Sequence, residues 1–274
     1  MTGGFDEEMH GWGGENLDQS LRAWLCGGEI TRAKSSRVAH MWRTGDPRTA
    51  THYSVRAKHT NNRGRVAAAW YDAFIPVSRT GSVPAKEVKN YDVIKQQLGC
   101  RPFVYFLYRF RKVYITSGVI AKSVFHLREK ASGSCLTRSG TVSATPCTPN
   151  NRQQELQLGN FDRESKTCCS GIRQYSTNDC FDYMDGAGVH YYSCDVAGTN
   201  GNQQYRLTAE GRIRRPNGEC LYVNKNKVLA KPCADLKEGQ GVFEKKNAFE
   251  PKEYAIYKKE LKRHRYEADL PDLP

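Results

Sequence analysis

The stretch GWGGENLDQSLRAWLCGG, residues 11–28, sets a large aromatic and two glycines directly ahead of a carboxylate, a carboxamide and an amphipathic run. Gly13 and Gly14 are poor helix formers, but they let backbone come close to a ligand and leave Trp12 free to move. Glu15 and Asn16 follow at once, so the segment reads as a functional loop feeding a helix. The helix must position that loop. Leu17, Leu21, Trp24 and Leu25 recur at the spacing that gathers apolar groups on one face. Glu15 and Asp18 suit the positive end of its dipole, and Gly27 and Gly28 end it.

The chain has 274 residues, enough for two modest domains, and with 38% hydrophobic and 26% charged residues it reads as globular. No apolar run is long enough to span a bilayer, and MTGGFDEEMHGWGG has neither the basic start nor the apolar core of a signal peptide. The ten cysteines nevertheless fall mostly in spaced pairs without zinc-type grouping. That pattern favours disulfides and an oxidising compartment, so a targeting segment is expected upstream. The net charge of +13 is spread along the chain, without a nucleic-acid motif. Its one dense run, KKELKRHR at 258–265, reads as a solvated helix or tail rather than a dedicated binding patch.

Organisation changes near residue 114. Before it, GRVAAAWYDAF (64–74) predicts a helix with Val66, Trp70 and Phe74 on one stripe, and residues 90–110 predict one or two more. Beyond it, residues 124–247 break into short β-like pieces separated by Gly, Asn, Asp and Ser. These pieces repeat. CLTRSGTVSATPC (135–147), CFDYMDGAGVHYYSC (180–194) and CLYVNKNKVLAKPC (220–233) share one layout, and QQEL, NQQY and QGVF follow them in turn. Units of this size cannot bury a core singly, so they must pack about a pseudo-threefold axis as a β-trefoil.

The repeats resemble the ricin-B-type lectin domain, with its Cys-Leu-Asp opening and closing Gln-x-Trp. In that family the Asp accepts hydrogen bonds from sugar hydroxyls, an aromatic ring stacks on the apolar face of the sugar, and an Asn amide adds a contact. The resemblance implies such a site in the middle repeat alone, at Asp182, Tyr192 and Asn202. Thr137 and Tyr222 stand at the Asp position in the other two, where a structural role is expected.

WGGENLD (12–18), CGGEI (26–30), SRVAHMWR (36–43), AAWYDAF (68–74) and CRPF (100–103) in turn resemble the C-terminal part of the polypeptide N-acetylgalactosaminyltransferase catalytic domain. That family also carries a ricin-type lectin domain immediately afterwards. The resemblance implies an α/β part of a GT-A-like glycosyltransferase domain over 1–113, an all-β trefoil over 124–247 and a charged tail over 248–274. It implies a Mn²⁺ ligand at His40, a diphosphate contact at Arg43, donor-sugar contacts at Glu15 and Asn16, a mobile gate at Trp12 and an acceptor-peptide contact at Trp42. It further implies disulfides Cys26–Cys100, Cys135–Cys147, Cys180–Cys194 and Cys220–Cys233, with Cys168 and Cys169 left open.

The departures from the family matter as much. No Asp-x-His motif, which supplies the family's other metal ligands, occurs in this sequence. DPRTATHY (46–53) replaces a loop that usually reads Pro-Tyr-Thr-Phe-Pro, and Ser35 replaces a Cys. The resemblance therefore implies UDP-GalNAc, Ser/Thr acceptor peptides or glycopeptides, and a Golgi-luminal setting for a longer parent with its membrane anchor upstream. This chain alone is expected to be inactive in transfer. The alternative is a non-catalytic carbohydrate-binding protein in which only the trefoil functions, and a polyanion binder is the weakest reading.

Overall fold

The computed structural model describes residues 4–39, 60–81, 83–159, 171–195 and 198–266. The chain divides into two compact units, residues 1–109 with 259–274 and residues 110–258.

The first unit is helical among its described residues. Helix α1 spans Glu15–Leu25, α2 Asn62–Trp70, α3 Asn90–Leu98 and α4 Phe103–Arg109. The side chain of Asn61 caps α2 by accepting from the Gly64 N–H at 2.9 Å, and Gly99 ends α3 in the left-handed conformation that glycine adopts without strain. Leu21, Leu25, Val66, Trp70, Val88 and Tyr91 form most of the core.

The buried face of α1 differs from the one its apolar spacing predicts. Asp18, Leu21, Arg22 and Leu25 are buried, whereas Leu17 is 37% exposed. The cause is a buried polar network that sets the helix's rotation. Asp18 accepts from Arg22 at 2.8 Å and from the Trp70 indole N–H at 2.7 Å. Asp6 accepts from Arg65 at 2.9 Å and from the Tyr91 hydroxyl at 2.9 Å. Burial pushes the Asp18 carboxyl above its usual range despite these donors. At Asp6 burial pushes up too, but hydrogen bonds from Arg65 and Tyr91 outweigh it and hold the carboxyl below the usual range. The helix expected over 64–74 is also interrupted, because Asp72 takes a φ of 46° and Pro76 follows within a 3₁₀ stretch, Asp72–Val77. Val66, Trp70 and Phe74 are buried all the same.

The second unit is the expected β-trefoil. Its first repeat contains β1 (Val124–Glu129), β2 (Ser134–Ser139), β3 (Thr141–Pro146) and β4 (Leu156–Gly159). The second contains β5 (Gly171–Gln174), β6 (Asp179–Met184), β7 (Gly188–Ser193) and β8 (Arg206–Leu207), and the third β9 (Ile213–Arg214), β10 (Glu219–Asn224), β11 (Lys227–Pro232) and β12 (Phe243–Phe249). The hairpins β2–β3, β6–β7 and β10–β11 share one register, with Cys135 opposite Thr145, Cys180 opposite Tyr192 and Cys220 opposite Lys231. β1 closes the assembly by pairing with β12, and β3 pairs with both β7 and β11. The residue after each first cysteine, Leu136, Phe181 or Leu221, is completely buried in a common core. The four expected disulfides are present, and Cys168 and Cys169 lie outside the described residues.

Helix α5, Lys252–His264, occupies much of the stretch expected as a charged tail. It is more than a solvated run, because Tyr257, Glu260 and Leu261 on it are buried.

Candidate functional site

In the second repeat, β6 and β7 place Asp182 opposite His190 and Cys180 opposite Tyr192. Alternation along the strands sends Phe181 and Val189 into the core and Asp182, His190 and Tyr192 to the other face. Gly188 starts β7 at a φ of 92°, where an added Cβ would lie 2.6 Å from the Val228 carbonyl oxygen, so only glycine allows this close approach.

Asp182 is 9% exposed and fixed from below. Its Oδ2 accepts from Asn200 Nδ2 at 2.8 Å and from Gln203 Nε2 at 2.9 Å. Gln203 is itself held, donating to the Ser193 carbonyl at 3.1 Å and accepting from the Asp195 N–H at 2.8 Å. Oδ1 accepts from none of the described residues. Tyr192, 68% exposed, forms one side of a cleft of about 660 Å³ that Asp182, His190, Asn200, Asn202 and Met184 also line. A fixed carboxylate beside an exposed ring can accept from hydroxyls while the ring covers an apolar C–H face.

Asp182, Tyr192 and Asn202 therefore line one cleft. The carboxamides on Asp182 are those of Asn200 and Gln203, which sequence reasoning did not single out. Asn200 caps the turn Gly201–Gln203 by accepting from the Asn202 N–H at 3.0 Å, and the TNGN run around it was the signal. Gln203 belongs to the NQQY element already recognised as part of the repeat.

In the first repeat Thr137 replaces the carboxylate, and its hydroxyl is already engaged. It donates to the Cys135 carbonyl at 3.0 Å, meets Thr145 Oγ1 at 2.7 Å and accepts from Gln154 Nε2 at 3.0 Å. In the third, Tyr222 takes the position, and Lys231 Nζ lies 4.9 Å from its ring centroid.

In the helical unit, Trp12 is 79% exposed and lines a cleft of about 330 Å³ with Gly13, Gly14, Glu15, Asn16 and Arg63. Gly14 has a φ of 97°, and an added Cβ would meet the Asn62 Cβ at 2.8 Å, so the loop's path depends on this glycine. His40, Trp42 and Arg43 lie outside the described residues. Among the described residues no group of three or more His, Cys, Asp or Glu side chains could hold a metal. The buried carboxylates of Asp6 and Asp18 are taken up by Arg65, Tyr91, Arg22 and Trp70, so the described residues of this unit do not fit a Mn²⁺ site.

The second unit thus has the β-trefoil fold, with one cleft in its second repeat. Residues 123–241 match the ricin-type β-trefoil lectin domain family, and residues 1–45 match a glycosyltransferase family described as the N-terminal domain of galactosyltransferase. Parts of the chain are also similar to polypeptide N-acetylgalactosaminyltransferases. It is 31% identical over 176 residues to a probable N-acetylgalactosaminyltransferase 9 of Caenorhabditis elegans, an alignment covering 60% of this chain and 28% of that protein. It is 27% identical over 230 residues to polypeptide N-acetylgalactosaminyltransferase 8 of Drosophila melanogaster, covering 73% of this chain and 36% of that one. The chain thus spans about a third or less of the length of these relatives. A crystal structure of GalNAc-T7 with UDP, GalNAc and Mn²⁺ aligns over 91% of this chain and 47% of its own, at 20% identity and a TM-score of 0.42.

Proposed function

We propose that the second trefoil repeat binds GalNAc, free or carried on a glycopeptide, through Asp182, Tyr192 and Asn202. The observation that carries this reading is the Asp182 carboxylate, held by Asn200 and Gln203 with one oxygen free beside an exposed tyrosine. Asp182 Oδ1 accepts from ring hydroxyls, Tyr192 covers the C–H face, and Asn202 supplies an amide at the cleft edge. An open cleft with so few polar contacts should bind at about millimolar strength, near −4 kcal/mol.

The same proposal takes the helical unit as the end of a catalytic domain that, in a longer Golgi-luminal protein, moves GalNAc from UDP-GalNAc to Ser or Thr of acceptor peptides. Trp12 acts there as a gate, Glu15 and Asn16 lie beside the donor sugar, Arg43 offsets diphosphate charge, Trp42 meets acceptor peptide, and His40 is a metal ligand. Mn²⁺, when bound, would stabilise the departing UDP. The described residues bring no such ligand set together, so no step is derived through it, and transfer by residues 1–274 alone is not expected.

An NMR titration with GalNAc tests the lectin reading. Shifts should cluster around Asp182, Tyr192 and Asn202, and Asp182→Ala should remove them. Binding that persists in Asp182→Ala, or that maps to the first or third repeat, refutes the assignment. Mn²⁺-dependent GalNAc transfer by purified residues 1–274 would refute the expected inactivity.

A further inference from the structure

The helical unit contains a second cavity, of about 350 Å³, away from Trp12. Its wall carries three cations, Lys95, Arg101 and Arg263, against two carboxylates, Asp72 and Glu260. Neither carboxylate is free to neutralise the third cation. Asp72 accepts from the Phe103 N–H at 2.8 Å and faces Lys95 Nζ at 3.8 Å. Glu260, buried on α5, faces Arg263 at 3.5 Å and His264 at 3.6 Å.

Arg101 is the uncompensated charge. Its backbone is tied down by donation to the Leu25 carbonyl at 2.8 Å, next to the Cys26–Cys100 disulfide. Its guanidinium lies 4.3 Å from the ring centroid of Tyr105 and makes no hydrogen bond or ion pair with any described residue. A planar guanidinium stacked on a ring keeps its N–H edge available, and that edge suits a planar or tetrahedral oxyanion. Arg263, 69% exposed on its side chain, and the His264 imidazole supply further donors on the same cavity.

We infer that this cavity is an anion site, with Arg101 as its principal contact, for a sulfate, phosphate or carboxylate group on a small polar molecule. Its size exceeds what a bare oxyanion needs and falls within the range of small-ligand sites. The trefoil cleft presents a carboxylate to its ligand instead, so the two sites select opposite chemistry.

The test uses the full chain, titrated with sodium sulfate, sodium phosphate, galactose 6-sulfate and galactose, with sodium chloride at matched ionic strength. Arginine side-chain NMR signals are the readout. Saturable shifts at Arg101 with sulfate or phosphate support a site for the oxyanion itself, and shifts with galactose 6-sulfate alone support a sulfated-sugar site. Arg101→Gln should weaken binding roughly ten- to a hundredfold, Arg263→Gln less, and Lys237→Gln in the trefoil not at all. A response to chloride equal to that of the probes, no saturation with any of them, or unchanged affinity in Arg101→Gln overturns the inference. Asp182→Ala leaves this site untouched, so failure of the lectin reading and failure of this one are separable.

Discussion

The first and second trefoil repeats build the same hydrogen-bonded frame and use it differently. Gln154 and Gln203 each extend Nε2 to the residue two places beyond the repeat's first cysteine, at 3.0 Å to Thr137 and 2.9 Å to Asp182. Each also ties the chain that follows the hairpin, through the Thr148 and Asp195 N–H groups. The glutamine is therefore part of the trefoil's structure, wherever a ligand binds. What separates the repeats is spare capacity: Thr137 spends its single hydroxyl on the frame, whereas Asp182 has a second oxygen.

If the frame is common, equivalent core truncations should cost the two repeats similar amounts, and these are the largest effects expected. Phe181 and Leu136 are both completely buried at matching positions. Phe181→Ala should lower unfolding free energy by about 3–5 kcal/mol and Leu136→Ala by about 2–5 kcal/mol. Denaturant unfolding of the full chain measures both. A much smaller loss at Leu136 would mean that the first repeat is not an equal partner in the core.

The ligand-binding difference is sharper in kind and smaller in energy. Asp182→Ala removes the only carboxylate at that position in the three repeats and should cost about 1.5–3 kcal/mol of GalNAc binding, enough to move a millimolar ligand out of measurable range. Thr137→Ala and Tyr222→Ala should leave sugar affinity unchanged. A loss in Thr137→Ala by the same titration would transfer the site to the first repeat.

Much of this contrast was legible in the sequence, because spaced cysteines and an apolar residue after the first recur three times, and a glutamine two places before a buried hydrophobic residue recurs in the first two repeats, with Gln240 of the third one place earlier. Asp182 and Tyr192 were legible for the same reason, as positions within a repeat. Asn200 was less so: it acts by capping a short turn, and only that role, which Asn151 shares in the first repeat, sets it apart from an ordinary loop residue. The helical unit was less transparent. Apolar spacing alone could not show that α1 buries Asp18 with Arg22, because periodicity counts charged residues as outward-facing unless their partner is known. Trp70, the second donor to Asp18, lies 52 residues away. Nor did KKELKRHR reveal that Glu260 and Leu261 would be buried.

A pH scan probes the frame from another side. His126 on β1 is buried beside β12, with Nδ1 3.2 Å from Asn247 Nδ2. Burial holds its pKa below the ordinary value, against a smaller opposing pull from Glu155. The neutral ring is thus the folded form, so the stability it contributes is present above the ordinary histidine pKa and is lost as pH falls through the folded one. Unfolding free energy should decline from pH 7 toward pH 5, and His126→Gln should flatten that decline. An identical slope in the variant would assign it to other groups.

The smallest expected effect asks whether the carboxylate alone distinguishes the repeats. Thr137→Asp restores an acceptor beneath Gln154, yet it should create no measurable GalNAc site. The reason lies across the hairpin, where Thr145 occupies the position that Tyr192 holds in the second repeat. A threonine offers no ring to cover the sugar's C–H face, and an aromatic contact of this kind is worth about 0.5–1.5 kcal/mol. Thr137→Asp with Thr145→Tyr supplies both groups on the same register and should add a second, weaker set of saturable shifts, centred on the first repeat. Asp182→Ala in that background separates the new shifts from those of the second repeat. If the single Thr137→Asp change suffices, the carboxylate alone makes the site and Tyr192 only borders it. If the double change also fails, features beyond these two groups, with Asn202 foremost where the first repeat has Gln153, account for the difference between the repeats.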